Sequence, residues 1–380
     1  MSNAGAHIGA GLAGALGAAS FAAELFTAIP LGMLADAVQP RWLMAGGALL
    51  GALAVQLFAL TGSTAVFFAS RTLEGVGAAA VVPALLAYLT DLTNGRATLR
   101  VRTMSYFELT LLAGLALGGI IAAQLFRALH AGAFTCVAAI YGTCAIVLFA
   151  SGRRAVDRRV TAPLADLRAF FRLPSLRALA PVWICVNAIV GLWLGPTLPF
   201  LLTQHSHGNQ FLAGVFAATP ARVGILLFAY AVVFAIGVAL WSIVLPRLSL
   251  RTAMRVCLIA ILPACLAIFA INHSAPEAAN VRWIAGGLLV LIVLIESGFT
   301  PAALAWLARI LPPRSGRAAA MGVYSVLLSI GAILGSVLAA FFGQWFAIDG
   351  LLLGTVLVTL VALVFVFRVP SISQPAVEEA

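Results

Sequence analysis

Four carboxylates stand inside runs of otherwise apolar residues: Glu24, Glu74, Glu108 and Glu296. A carboxylate removed from water is costly unless it is protonated, paired or holding a cation. Each of the four is therefore a candidate for taking up and releasing a proton, or for binding a charged solute. Arg71 lies three residues before Glu74, on the same helix face, so the two can pair locally. Two readings of Arg71 stand: an anion contact or proton-relay partner, and a structural ion pair with Glu74 or Glu108. Glu74 and Glu296 fall nearest the middle of their runs, at roughly 15 to 20 Å depth, and are the preferred proton or substrate sites. Glu24 and Glu108 lie nearer the arginine-marked ends and read as gate or inter-helix polar contacts.

The elements that carry these residues are set by hydropathy. Of 380 residues, 63% are hydrophobic and 9% charged, whereas soluble domains carry about 25% charged residues. The apolar runs are each long enough to cross a hydrocarbon layer of about 30 Å. They fall at 8–33, 42–62, 65–91, 102–125, 132–151, 179–203, 222–245, 254–272, 283–309, 318–343 and 346–367, which makes eleven expected spans. The expected class is an all-α integral membrane protein. The start of the chain, with His7 and no basic stretch, does not read as a signal peptide. Gly195-Pro196, Pro199 and Pro301 are positioned to kink their helices.

The basic residues orient the spans. The formal charge of +10 comes from 22 arginines with no lysine, and these arginines sit in short loops between apolar runs rather than forming a nucleic-acid surface. One face takes Arg41, Arg96 to Arg102, Arg153 to Arg177, Arg247 to Arg255, Arg309 to Arg317 and Arg368; the other takes only Arg127, Arg222 and Arg282. The richer face is expected to be cytoplasmic, which places the C-terminus inside and Met1 outside an inner, plasma-type membrane. All five histidines then fall outside. His205 and His207 share one loop, where two imidazoles are more often solvated than ligating, and no metal is expected. The five cysteines lack CxxC spacing and read as packing residues.

Residues 152–178 are Arg-rich and contain Pro, with an amphipathic stretch from Leu164 to Phe171, and form the expected cytoplasmic divide between a bundle at 1–151 and another at 179–367. Residues 368–380 would be a cytoplasmic tail. Repetition supports the divide. Met104 is followed by Gly114 and Gly118, and Met321 by Gly331 and Gly335; 331 minus 114 gives a displacement of 217. Pro83-Ala-Leu-Leu-Ala-Tyr-Leu89 parallels Pro301-Ala-Ala-Leu-Ala-Trp-Leu307 at nearly the same displacement, and Glu74 with Gly77 echoes Glu296 with Gly298. The halves read as parallel repeats. The same displacement gives the run at 179–203 no partner, so a first helix is expected to be missing from this chain. The spaced glycines read as small stripes for close helix packing.

Three segments carry a family resemblance. Gly32-Met-Leu-Ala-Asp36-Ala-Val-Gln-Pro-Arg41 resembles the G-x-L-A-D-R-x-G-R-R loop of the major facilitator superfamily, with Ala37 and Gln39 as departures. Asp91 would be the other acidic member of that gating cluster. Arg71-Thr-Leu-Glu-Gly75-Val-Gly77 resembles the intramembrane R-x-x-x-G-x-G segment, and Gly114 to Gly119 the antiporter core G-P-x-x-G-G with Leu115 in place of Pro. The resemblance covers nearly the whole chain. It implies two six-helix-type bundles, here 5 + 6, rocking about a central cavity lined by the helices at 65–91, 179–203 and 283–309.

Chemistry by other routes is unsupported, since no Walker A, HExxH or GxSxG element is present. The expectation is a non-enzymatic, cofactor-free secondary transporter of the efflux-like branch, monomeric, coupling protons to export of a small organic solute. The alternative is a non-transporting membrane protein, a sensor, assembly factor or truncated remnant, that keeps the fold. A channel is disfavoured because no filter-like loop repeats. Trp193, Trp241 and Trp306 read as interface anchors before substrate contacts. The gating reading of Asp36 has a direct consequence: Asp36→Asn is expected to slow solute exchange across vesicle membranes while leaving equilibrium substrate binding unchanged.

Overall fold

In lipid a backbone amide has no water to bond, so each apolar run must satisfy its own N–H and C=O groups, and the helix does this within one segment. The computed structural model describes residues 10–60, 62–94, 96–150, 172–195, 197–203, 208–219, 222–275, 277–310 and 317–369, and no strand occurs among them. The helices are α1 (Ala10–Ala37), α2 (Pro40–Leu60), α3 (Thr64–Leu92), α4 (Ala97–Leu129), α5 (Gly132–Ala150), α6 (Pro174–Leu194), α7 (Thr197–Thr203), α8 (Arg222–Val244), α9 (Leu250–Asn272), α10 (Ala279–Glu296), α11 (Phe299–Ile310) and α12 (Arg317–Val366). The surface helix expected at Leu164 to Phe171, the loop with His205 and His207, and the tail beyond Val369 lie outside the described residues.

Among the described residues, nine helical stretches are long and apolar enough to cross a membrane. The last of these runs from Met321 to Val366, far more than the roughly 20 residues one crossing needs. It is broken at Ala347, whose φ of 50° and ψ of −125° are not helical. The sequence places two spans here, at 318–343 and 346–367, separated by a short loop; the structure turns between them at one residue. Counting α12 as two spans and adding α4, whose only charge between Arg102 and Arg127 is Glu108, brings the number to the eleven expected. The run at 179–203 is likewise divided, into α6 and α7, at the Gly195-Pro196 position, and that at 283–309 into α10 and α11.

The helices gather into two compact units. The first holds α1, α2, α3 and α5 with residues 121–129 of α4 and 317–333 of α12. Here α3 packs between α1 and α2, and α2 also packs on α5. Small residues make this possible. A Cβ on Gly77 would stand 2.8 Å from the Gly47 carbonyl oxygen and one on Gly47 2.6 Å from that of Gly77, so the α2 and α3 backbones meet directly. Gly75 faces the Ser20 carbonyl of α1 in the same way. Ser70 Oγ donates to Ala54 O at 2.5 Å, tying α3 to α2 a second time.

The second unit holds residues 97–120 of α4, α6 to α11 and residues 334–366 of α12. α9 packs on α10 and α11, α10 on α8, and α11 on α6. α11 is enclosed: of its 12 residues, nine are buried. Trp306 within it is 1% exposed, so it is a core residue and not the interface anchor its type implied. Of the four glycines expected to form packing stripes, Gly335 meets the Ala188 carbonyl of α6 and Gly331 is buried, while Gly114 and Gly118 are exposed and a Cβ on either would touch no described atom. The repeated spacing is thus used for close approach in the C-terminal copy and leaves an open face on α4.

The α2–α3 contact yields a test. Gly77→Val is expected to lower the melting temperature of the detergent-solubilised protein, reflecting an overpacking cost of about 1–3 kcal/mol. Gly46→Val on the neighbouring face of α2, where a Cβ meets nothing within 4 Å, should leave it unchanged.

Candidate functional site

Pro301 has no N–H to donate to the carbonyl of Ser297, and Gly298 adds no side chain to hold a helical turn. The helix stops at Glu296 and restarts at Phe299. The carbonyls stranded by the break are satisfied from the side. Trp241 Nε1, on α8, donates to Leu294 O at 3.1 Å and Ile295 O at 3.0 Å. Cys257 Sγ, on α9, approaches Ile295 O at 3.1 Å, and Ser297 Oγ donates to Leu294 O at 2.9 Å. The indole fits because position 298 is glycine: any Cβ there would overlap the Trp241 ring. A second glycine, Gly237, lets α8 approach Ser297 and Leu294.

Glu296 therefore occupies the last position before a discontinuity, where the backbone is held open by three other groups. Around it lie Tyr230 of α8 and Cys257 and Cys265 of α9, all within electrostatic reach of its carboxyl. Tyr230 is within the same reach of Glu108 of α4. Glu108 is 6% exposed, and its Oε2 has no hydrogen-bond partner among the described residues. Tyr230 escaped the sequence reading, although a lone phenol in the apolar run of 222–245 was the available signal.

The other candidates lie in the first unit. Arg71 Nη1 donates to Glu74 Oε2 within α3, both side chains being about one-third exposed (32% and 35%). Tyr141 of α5 is within electrostatic reach of both. The local pair is the structural alternative raised for Arg71, and Glu108 belongs to the other unit. Glu24 of α1 is 8% exposed. The Ser325 and Ser329 hydroxyls of α12 stand beside its carboxyl without full hydrogen-bond geometry. Of the gating-loop residues, Gly32 and Asp36 are buried and Asp91 stands at the end of α3. Arg41 Nε donates to Gln39 Oε1 at 2.8 Å and its guanidinium lies 5.1 Å from the Trp42 ring centre. The departure Gln39 thereby supplies this arginine with an acceptor.

A further polar cluster was not foreseen. At the Ala347 break, Gln210 Nε2 donates to Phe346 O at 2.9 Å while its Oε1 accepts from Ile348 N at 3.0 Å. One side chain bridges the interruption. Next to it, Asn272 Nδ2 donates to Asp349 Oδ1 at 2.9 Å, and His273 Nε2 lies 2.9 Å from Asp349 Oδ2. Asn272 also accepts from Leu212 N at 3.0 Å through its side chain and from Phe211 N at 2.7 Å through its carbonyl. Among the described residues no group of three or more His, Cys, Asp or Glu side chains is arranged to hold a metal.

A bundle of membrane-length helices, one of them interrupted within its apolar stretch at Glu296 and Ser297, has the architecture of a multi-pass membrane transporter. A family model described as Major Facilitator Superfamily matches residues 3–219 and again 194–380, and the chain belongs to that superfamily. Among solved structures the chain resembles the crystal structure of the human organic anion transporter MFSD10 (TETRAN), with a TM-score of 0.74 at 20% identity. That match covers 94% of this chain and 83% of the other. No curated protein sequence matches.

The bridge at Ala347 is testable. Gln210→Leu takes this partner from Phe346 O and from the buried Ile348 N, and an unsatisfied buried group costs about 1–3 kcal/mol. The expected outcome is a lower melting temperature together with faster hydrogen exchange at residues 346–349, read by mass spectrometry.

Proposed function

We propose that this transporter is a proton-coupled secondary carrier that exports a small organic solute by alternating access. The observation that carries this reading is Glu296, a carboxyl at the break between α10 and α11 within one membrane-length stretch. A carboxyl there is costly when charged and cheap when protonated, so its proton occupancy and the surrounding conformation must be linked. Discontinuous membrane helices recur at substrate and ion sites in transporters because the free backbone and the break supply both ligands and a bending point. Glu108, Glu74 with Arg71, and Glu24 are the accessory carboxyl sites, and Gly32, Asp36, Arg41 and Asp91 the cytoplasmic gate.

The energetics suffice for such coupling. One proton crossing 100 mV yields about 2.3 kcal/mol, which supports a solute gradient of roughly 50-fold. The distribution of arginines supports a plasma-type inner membrane with the C-terminus cytoplasmic. The efflux direction rests on the likeness of Gly114 to Gly119 to an antiporter segment. The protein is proposed to act as a monomer, with protons and the solute as its partners and no cofactor.

The decisive measurement is uptake of labelled solutes into inverted vesicles with and without a protonophore. Protonophore-sensitive uptake is expected for the native chain. Glu296→Gln should retain solute exchange down a concentration gradient but lose its dependence on the pH gradient; unchanged pH-dependent flux in that variant would remove Glu296 from the coupling role.

A further inference from the structure

Arg251 and Arg255 are the second and sixth residues of α9, one turn apart on one face. Like charges so placed repel, and the start of a helix already carries partial positive charge. Their guanidiniums nevertheless converge on a single atom: Arg251 Nη2 donates to Phe367 O at 2.9 Å and Arg255 Nη2 at 3.3 Å. Phe367 directly follows the last residue of α12, where carbonyls have no partner further along the helix. Capping this carbonyl accounts for one N–H of each arginine. A guanidinium has five, and the Nε of both finds no partner among the described residues. The Arg255 guanidinium also lies 4.6 Å from the Phe367 ring centre, and that of Arg368 lies 5.4 Å from the Phe365 ring centre. Three guanidiniums are thus gathered at the end of α12.

No acid answers this charge. Among the described residues no carboxylate pairs with Arg251, Arg255 or Arg368. Asp349 and Glu277 belong to the opposite end of α9, the first bonded to Asn272 and His273 and the second following His273 by four residues. The surroundings are those of a bilayer boundary. One apolar span begins at Leu250 and another ends at Val366, so the cluster stands where the apolar layer stops. Beside it Val256 and Ile259 of α9, Val364 of α12 and Phe367 expose apolar side chains. Ile259 follows Arg255 by one turn, and Val364 precedes Arg368 by four residues. Each helix therefore presents an apolar strip that ends in a guanidinium.

We propose that Arg251, Arg255 and Arg368 bind the headgroup phosphate of an anionic phospholipid whose acyl chains lie along the exposed strips of α9 and α12. A phosphate offers several acceptor oxygens in the planar geometry a guanidinium fork matches. Anionic membrane surfaces attract basic side chains at this depth, and a headgroup without a cation of its own leaves the phosphate charge free for the arginines. A soluble anion would use the guanidiniums but leave the apolar strips uncovered. The acidic residues Glu378 and Glu379 near the end of the chain carry charge but no acyl chain. The site is independent of the carrier reading above.

The test is native mass spectrometry of the purified full chain in detergent, titrated with phosphatidylglycerol or with phosphatidylcholine of the same acyl chains. Phosphatidylglycerol is expected to bind more tightly than phosphatidylcholine and to lose about fivefold in affinity for each arginine removed, in Arg368→Gln and, more deeply, in Arg251→Gln/Arg255→Gln. Arg222→Gln, at an exposed position where α8 starts, should leave binding unchanged. Arg368 makes no side-chain hydrogen bond among the described residues, so its variant removes charge without uncapping α12. The double variant is compared only if it elutes and melts like the native chain before lipid is added; if it does not, Arg368→Gln decides. Equal affinity for the two lipids, native affinity in Arg368→Gln, or an equal loss in Arg222→Gln would each overturn the assignment. Displacement of the lipid by inorganic phosphate would overturn it in favour of a soluble-anion site. Phosphatidylglycerol binding that appears only in Glu378→Gln/Glu379→Gln would overturn it in favour of the chain's own acidic end.

Discussion

The helices of this protein and their interruptions answer to one constraint: a peptide group in hydrocarbon must find its hydrogen bond inside the protein. A continuous helix meets the constraint by itself. A broken one does not, and the two breaks resolved most fully here are each completed by a side chain from elsewhere. Trp241 closes the carbonyls beside Ser297, and Gln210 spans Ala347 with a donor on one side and an acceptor on the other. The breaks are therefore fixed parts of the fold.

The same constraint explains why polar residues concentrate where they do. Once a helix is interrupted, side chains with hydrogen-bonding capacity must be brought in, and the locality becomes more polar than the surrounding bilayer. Glu296 sits at such a place, with Ser297 and Cys257 bonded to the neighbouring carbonyls. A carboxyl here is less costly than one facing lipid, which makes a titratable group tolerable at this depth. Arg71 and Glu74 solve the burial problem in another way, by pairing within one helix.

Much of this was legible in the sequence because hydropathy and period are local properties. The eleven runs, the repeat displacement and the interrupting role of Pro301 all follow from residue type and spacing. The candidate carboxylates were also visible, since an ionisable group in an apolar run stands out. What the sequence does not carry is the identity of neighbours across helices. Tyr230 and Glu108 are 122 positions apart, and no spacing rule connects them. Gln210 lies in a connecting segment whose composition resembles any other loop, and only the coordinates of Phe346 and Ile348 give it meaning. Gly114 and Gly118 show the converse: identical spacing to Gly331 and Gly335, but a different environment, because a small residue permits close approach without requiring it.

The bridge at Ala347 also bears on the order in which the chain is assembled. Gln210 is separated by 136 and 138 positions from its two partners. During synthesis, α6 to α11 have emerged and can enter the bilayer well before residues 346–348 exist. Until then the connecting segment that carries Gln210 lacks its anchor, and the last span enters with its interrupted backbone still seeking partners. The closing of this contact is thus a late assembly event, one that ties the connecting segment to the turn at Ala347 after the other helices of the second unit have inserted. Slowing it would leave a nearly complete bundle with one unsatisfied break, the kind of partly assembled membrane protein on which quality-control proteases act.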